Sequence, residues 1–146
     1  AGHPECHTEA TGFASDIEYL KQKVDTGADL VISQLFFDNR YFYSFCERCE
    51  QAGITVPIIA GIMPILTQSG VLRMTKMCGT AIPAELMERL AHCDDDDAVA
   101  KVGRDWTSDQ CLDLLSHEVR GLHFYTLNNS GATIEIFARL NAAQEK

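Results

Sequence analysis

Apolar runs alternate along this chain with segments in which apolar residues recur every three to four positions. Residues 28–37, 56–64 and 121–128 are apolar at most successive positions, a pattern typical of strands buried on both faces of a parallel sheet. Residues 1–7 are interpreted as the end of another strand, which runs into a loop at Pro4 because proline cannot donate to a ladder. The pattern therefore predicts four strands.

Helical spacing fills the intervals between these strands. The first helix is predicted to open at Ser15, with Glu18 completing a capping box, and to stop at Gly27. The second helix takes Asp38 or Asn39 as its N-terminal cap.

The interval before the last strand is longer and predicts three helices. One contains Val71 and Cys78, one begins near Pro83, and the longest runs from about Val99 to His117. A final helix follows the turn at 129–131. Its periodicity predicts that it buries Ile134, Phe137, Ala138 and Asn141.

Alternation of strands and helices is typical of βα units around a parallel sheet. Four such units make about half of a (β/α)₈ barrel, which typically needs about 250 residues. The first residue is not Met and lies inside a predicted strand, which favours a fragment or one chain of a split barrel. We therefore expect residues 1–146 to form half of a barrel domain. An open four-stranded sheet is the structural alternative, because a half-barrel leaves two sheet edges uncovered.

Charge and composition narrow the range of partners. The 146 residues carry a formal net charge of −9 and no basic stripe, which argues against nucleic acid. No apolar run approaches the ~20 residues of a membrane-spanning helix, so no membrane partner is expected.

Two clusters of possible metal ligands have simpler explanations. Cys46 and Cys49 lie within a helical repeat and have no second pair at zinc spacing, so buried thiols are favoured over a metal or redox site. The acidic run 94–97 is interpreted as a solvated loop that caps the next helix, with a cation site as the less favoured alternative. No metal site is predicted.

Gln34 is the most informative polar residue, because it interrupts an apolar run. A buried amide must pair one acceptor and two donors, or it costs about 1–3 kcal/mol. Gln34 is either a core amide satisfied by neighbouring backbone or a ligand-binding amide at the carboxyl end of a strand, and both interpretations stay open.

Other polar residues follow the predicted strands, whose ends share one rim in a parallel sheet. They are His3, Glu5, His7, Asp38, Thr67, Gln68, Asn128 and Asn129. This set is rich in amides and imidazoles and lacks a P-loop or nucleophile elbow. Such a rim suits binding of a polar heterocycle.

Five segments of the chain resemble the methylenetetrahydrofolate reductase family. The most specific is His123-Phe124-Tyr125-Thr126-Leu127-Asn128, and the others are residues 2–7, 20–28, 33–38 and 57–64. The similarity runs in order over nearly the whole chain. It implies the second half of a (β/α)₈ barrel, from within the fifth strand to the last helix.

The resemblance also implies a function. Members of the family hold FAD non-covalently and use NADH or NADPH to reduce 5,10-methylenetetrahydrofolate to 5-methyltetrahydrofolate, a cytoplasmic step of one-carbon metabolism that supplies methionine biosynthesis. A homo-oligomer is expected for the complete protein. The family's glutamate general acid belongs to the N-terminal half-barrel, so no catalytic residue is assigned here and this chain is not expected to be active alone.

Matching positions imply the site residues. The flavin-binding set is His3, His7, Ala10, Asp16, Tyr19, Gln22 and Lys23, and the folate-binding set is Gln34 and Asn129. Several positions depart from the family pattern. Tyr is common at the position of His3, Tyr19 and Gln22 differ from the usual side chains, Asn129 replaces a frequent Arg, and Gly70 replaces a polar folate contact that Gln68 could supply.

Two other functions remain alternatives at this point. The chain could be a half-barrel that binds a partner half or a regulatory ligand without catalysis. It could also belong to another barrel enzyme, with phosphate bound by the backbone of residues 128–131.

Overall fold

The computed structural model describes residues 1–144 as six helices and three strands in alternation. In chain order the elements are α1 (Phe13–Asp25), β1 (Val31–Ile32), α2 (Asn39–Gln51), β2 (Ile58–Ile62), α3 (Gln68–Cys78), α4 (Ala84–Ala91), α5 (Asp96–Ser116), β3 (Leu122–Phe124) and α6 (Gly131–Gln144). The predicted α/β class and the three helices between the last two strands are confirmed.

The sheet has the order β1-β2-β3 and is parallel throughout. The predicted strand at residues 1–7 is reduced to one parallel bridge between Gly2 and Ser33. Beyond this bridge Pro4 has no N–H to donate, and Cys6 turns the chain with φ 72°. The described residues therefore form three strands and a bridge, and the four strands that we predicted are not confirmed.

The predicted strand at 28–37 is also shorter than expected, because Leu35, Phe36 and Phe37 leave the ladder. Their carbonyls accept hydrogen bonds from side chains of the helical region: Thr80 Oγ1 to Leu35 O at 3.1 Å, Gln110 Nε2 to Phe36 O at 2.9 Å and Trp106 Nε1 to Phe37 O at 3.2 Å. The side chains of Leu35, Phe36 and Phe37 remain buried. Distant donors thus replace strand pairing without leaving these polar groups unsatisfied.

The predicted helix starts at Asp38, near Pro83 and at the acidic run 94–97 are correct, and the start at Ser15 is wrong. Asp38 and Asp95 cap α2 and α5 by accepting backbone N–H bonds, which confirms the capping role of the acidic run. The capping box predicted at Ser15 does not form. The helix α1 begins two residues earlier, at Phe13, and Ser15 Oγ donates back to Gly12 O at 3.0 Å.

The face that α6 buries is not the predicted one. Ala132, Ile136 and Leu140 are at most 5% exposed, with Ile136 and Leu140 in one cluster with β2 and α5. Ile134 is 65% exposed and Phe137 is 58% exposed, and the predicted Ala138 and Asn141 are also exposed. The helix carries two apolar rows, and the sheet covers only the row spaced four residues apart.

Candidate functional site

The loop of residues 3–12, here called the 3–12 loop, leaves the sheet beside β1 and carries two imidazoles. The rings of His3 and His7 lie edge to face, with centroids 4.6 Å apart. The backbone N–H of His7 donates to Asp16 Oδ2 at 2.9 Å, which ties the loop to α1. Glu9 N donates to His7 Nδ1 at 3.1 Å. Since Nδ1 accepts, the neutral His7 ring carries its proton on Nε2 and can donate from there.

The electrostatics of the loop favour an uncharged His3. Burial lowers the pKa of His3, and nearby Asp16 raises it in part. The positive charges of His7, the N-terminus and Lys23 lower that pKa further. His3 therefore offers an uncharged imidazole beside the His7 ring.

The remaining residues of the predicted flavin-binding set lie at different distances from the loop. Ala10 lies in the loop, where its N–H donates to His7 O at 3.0 Å. Lys23 is exposed on α1 and lines a neighbouring cavity of about 470 Å³, shared with His123 and Tyr125. Tyr19 and Gln22 point to solvent, with Tyr19 61% exposed. The structure thus gathers His3, His7, Ala10 and Asp16, places Lys23 close by, and leaves Tyr19 and Gln22 outside.

Gln34 combines the two interpretations of its amide. Its Oε1 accepts the N–H of Leu35 at 2.9 Å, as expected of a core amide satisfied by local backbone. Within residues 1–144, however, no acceptor is hydrogen-bonded to Gln34 Nε2. The backbone N–H of Gln34 donates to Gly2 O at 2.6 Å, so Gln34 lies beside the start of the 3–12 loop. The acceptor half of the amide is thus paired with backbone, and the donor half has no partner among the described residues.

Asn129 and Gly70 face a second cavity, of about 260 Å³, beyond the carboxyl ends of β2 and β3. Leu127 and Asn128 enter this turn with φ of 48° and 65°, and Leu127 is 62% exposed. An exposed leucine in the left-handed region is strained, as is frequent at binding sites. The departure at Gly70 has a local reason, because a Cβ there would lie 2.7 Å from the cap oxygen Thr67 Oγ1.

Sequence reasoning missed a side-chain hydrogen bond that crosses the sheet from Tyr125 to Ser33. Tyr125 on the β3 side donates from its hydroxyl to Ser33 O at 2.9 Å and passes over Gly61 of β2. Ser33 Oγ accepts from Gly61 N at 2.9 Å and donates to Gln34 O at 2.9 Å. This close approach requires glycine, because a Cβ at Gly61 would lie 2.8 Å from the Tyr125 ring. The available signal for Tyr125 was a hydroxyl inside an apolar strand.

Glu5 links the 3–12 loop to the connection between α3 and α4. Its Oε2 accepts the N–H of Ala81 at 2.8 Å, whereas Oε1 is buried without a partner among the described residues. Burial raises the pKa of Glu5, and the bond from Ala81 opposes that shift only in part. Sequence reasoning placed Glu5 on the rim but did not predict this contact.

A second polar cluster joins α2 to α5 away from the 3–12 loop. Asp113 Oδ2 accepts from Tyr43 Oη at 2.6 Å and from Asn39 Nδ2 at 2.7 Å. These two bonds lower the pKa of Asp113, and burial raises the pKa of Tyr43. The cluster is a link between helices that the sequence did not reveal.

Residues 1–144 contain neither a cluster of side chains suited to a metal ion nor a helix suited to crossing a membrane. In that part of the chain no three His, Cys, Asp or Glu side chains are grouped so that they could hold a metal ion. Burial raises the pKa of Cys46 to about 11 and that of Cys49 to about 12, so both thiols are protonated at neutral pH. None of the helices described has the length and apolarity to cross a membrane.

Sequence comparison extends over nearly the whole chain. The family model described as methylenetetrahydrofolate reductase matches residues 1–141. Methylenetetrahydrofolate reductase (NADH) 1 of Arabidopsis thaliana is 44% identical over 155 residues, covering 99% of this chain and 26% of that protein. Methylenetetrahydrofolate reductase 2 of Saccharomyces cerevisiae is 42% identical, covering 97% of this chain and 24% of the relative. The Escherichia coli 5,10-methylenetetrahydrofolate reductase is 38% identical, with 89% of this chain and 44% of the relative covered.

The chain therefore spans less than half the length of each of these relatives. Among solved structures, a similar fold occurs in a protein from Clostridium thermocellum described as binding two copies of 5-methyl-5,6,7,8-tetrahydrofolic acid. The TM-score is 0.59 at 16% identity, and the match covers 99% of this chain and 52% of the other. At that identity the likeness establishes a shared fold.

Proposed function

The chain belongs to the methylenetetrahydrofolate reductase family, and from this premise we propose that residues 1–146 form the C-terminal half of a flavin-binding (β/α)₈ barrel. The proposed enzyme is an oxidoreductase that reduces 5,10-methylenetetrahydrofolate to 5-methyltetrahydrofolate with NADH or NADPH. Gly2 would then belong to a fourth strand of this half, beside β1. A homo-oligomer and a cytoplasmic location are further expectations from the resemblance.

The observation that supports this function best is the meeting of the 3–12 loop with Gln34 at the carboxyl end of β1. Active sites of (β/α)₈ barrels lie at that end of the strands. The loop offers His7 Nε2 as a donor, and Gln34 offers a free amide NH₂. Donors of this kind fit the carbonyl oxygens and ring nitrogens of a flavin or a pterin.

The residues present fit FAD as the proposed cofactor. FAD, when bound, supplies hydride transfer between the pyridine nucleotide and the folate. His3 and His7 would hold it with their imidazole rings, and Asp16 would keep the loop in place through His7 N–H. Lys23, which is exposed and forms no ion pair with the residues described, would bind the diphosphate oxygens. Tyr19 and Gln22 remain in the proposed set at its solvent edge.

Folate binding is proposed for Gln34 and Asn129. The Leu35 N–H holds Gln34 Oε1, so the amide would present its NH₂ to an acceptor on the pterin. Asn129 lines the cavity of about 260 Å³ next to Tyr125, which could receive the tail of the substrate. No residue of this chain is assigned as the general acid.

The N-terminal half-barrel is the proposed partner of this chain. In the structure β3 lies at one edge of the sheet, and Ile134 and Phe137 are exposed on the adjacent α6. A sheet edge next to exposed apolar side chains is a surface that proteins normally cover. A first βα unit seated there would pair with β3 and bury that apolar row.

The decisive experiment is a flavin absorbance spectrum of the complete purified protein, followed by two half-reactions. We expect bound oxidised flavin, bleaching by NADH or NADPH, and reoxidation by 5,10-methylenetetrahydrofolate. Absence of bound flavin, even after incubation with FAD, would refute the function. Bound flavin that neither pyridine nucleotide reduces would instead favour the alternative, a binding or regulatory module without catalysis.

A further inference from the structure

Arg48, in the last turn of α2, contacts both ends of the 3–12 loop. Its Nη2 donates to Pro4 O at 3.1 Å, and its guanidinium carbon lies 4.2 Å from the centroid of the Phe13 ring. Its Nη1 donates to Ser44 Oγ at 2.9 Å, which fixes the guanidinium on its own helix. Pro4 directly follows His3, and Phe13 directly follows the loop.

Apart from the contacts of Arg48, the loop is restrained by single hydrogen bonds. It contains no helix or strand, and within it only two backbone bonds form, from Cys6 N to His3 O and from Ala10 N to His7 O. Its start and middle are tied to the rest of the described chain by the bond to Asp16, the bond from Ala81 to Glu5, and the contacts of Arg48. Its last two residues, Thr11 and Gly12, are hydrogen-bonded to the first turn of α1. Arg48 joins Pro4, near the start of the loop, to Phe13, directly after its end.

The chemistry of this contact requires arginine. A planar guanidinium can donate to a carbonyl at its edge while its face covers an aromatic ring, which an ammonium cannot do in one geometry. The contact also explains why Phe13, 43% exposed, stands at the surface. Arg48 Nε is buried without a partner among the described residues, so the side chain keeps this position although one donor is unsatisfied.

We propose that Arg48 is a positioning residue for the flavin: it clamps Pro4 to Phe13 and thereby sets the spacing of His3 and His7. The proposal rests on the proposed function, because the loop is taken to bind FAD. Arg48 itself acts only through the loop.

The test compares Arg48→Met with Arg89→Met in the complete holoenzyme. Arg89 is a matched control, since it also joins a hydrogen bond, to Glu85 at 2.5 Å, with a ring contact, 5.6 Å from Trp106, but lies on α4 away from the loop. Loss of a charge-assisted bond and a ring contact should raise the rate of FAD dissociation about tenfold in Arg48→Met. Arg89→Met should dissociate FAD at the wild-type rate, and Arg48→Lys should lie between.

Amide hydrogen exchange of the apoprotein separates positioning from general stability. Positioning requires faster exchange in residues 5–12 of Arg48→Met, with unchanged protection in α2 and β2. A merely structural role would instead loosen α2 together with the loop and lower the unfolding temperature of the apoprotein. If Arg48→Met does not fold, Arg48→Lys and Phe13→Leu provide the same comparison from the two sides of the contact.

The outcomes separate this inference from the function on which it rests. Wild-type protein that binds no FAD overturns the proposed function and the flavin role of Arg48 together. Amide hydrogen exchange of the 3–12 loop would still show whether Arg48 restrains that loop. Wild-type protein that binds FAD, together with an Arg48→Met variant whose FAD dissociation and loop exchange are unchanged, overturns the inference on Arg48 alone.

Discussion

Replacing Gly61 by alanine tests the hydrogen bond that Tyr125 donates across the sheet to Ser33. A Cβ at this position would lie 2.2 Å from Ser33 O and 2.8 Å from the Tyr125 ring. Ser33 O is backbone and cannot rotate away, so β1 and β2 must separate or the Tyr125 ring must move. Either movement breaks the 2.9 Å bond from Tyr125 Oη to Ser33 O.

The expected cost has two parts. Overpacking of a rigid site costs about 1–3 kcal/mol, and the lost hydrogen bond costs about 0.5–1.5 kcal/mol. A total of about 3 kcal/mol should lower the unfolding temperature of a barrel-sized domain by about 9 °C. Tyr125→Phe removes only the hydroxyl and should lower it by about 3 °C.

The measurement is thermal unfolding of the complete protein, followed by far-ultraviolet circular dichroism. Gly121→Ala is the control, because its Cβ would meet the Ile59 Cδ1 methyl at 3.2 Å, a group that can rotate away. In the Gly61→Ala background, Tyr125→Phe should have little further effect, since the bond is already broken. An unfolding temperature of Gly61→Ala equal to that of Gly121→Ala would refute the reasoning.

Three further predictions concern the site. Gln34→Glu keeps the acceptor for Leu35 N–H but removes the NH₂ donor. In stopped-flow measurements, folate reduction should slow about 10²-fold, and flavin reduction by the pyridine nucleotide should change less. Equal slowing of both steps would contradict this prediction. Lys23→Ala should raise the flavin lost on dilution about tenfold with little change in folate affinity, and a flavin content equal to wild type would make Lys23 a surface charge. Burial raises the folded-state pKa of Glu5, so its contribution to stability is present below the unfolded pKa and is lost as pH rises through the folded pKa. Glu5→Gln should therefore gain in unfolding temperature relative to wild type as pH rises across that interval, whereas parallel curves would show that Glu5 does not titrate there.

The sequence by itself predicted which elements form and where most of them lie. Alternation of apolar runs and helical spacing is a local property, so the α/β class, the parallel sheet and the helix starts at Asp38 and Asp95 could be read from the sequence. The family was equally accessible, because its motifs are contiguous, and the match over residues 1–141 confirms it. The flavin and folate roles of individual residues stay predictions.

Only the tertiary structure decided which faces are covered and which polar groups are paired. The row of α6 that packs on the sheet, the departure of Leu35 from the ladder toward Thr80, and the contacts of Tyr125 and Arg48 all depend on partners far away in the sequence. Tyr125 and Ser33, for example, are 92 residues apart. Periodicity predicts that a side chain is buried, but it does not identify the distant atom that packs against that side chain or accepts its hydrogen bond.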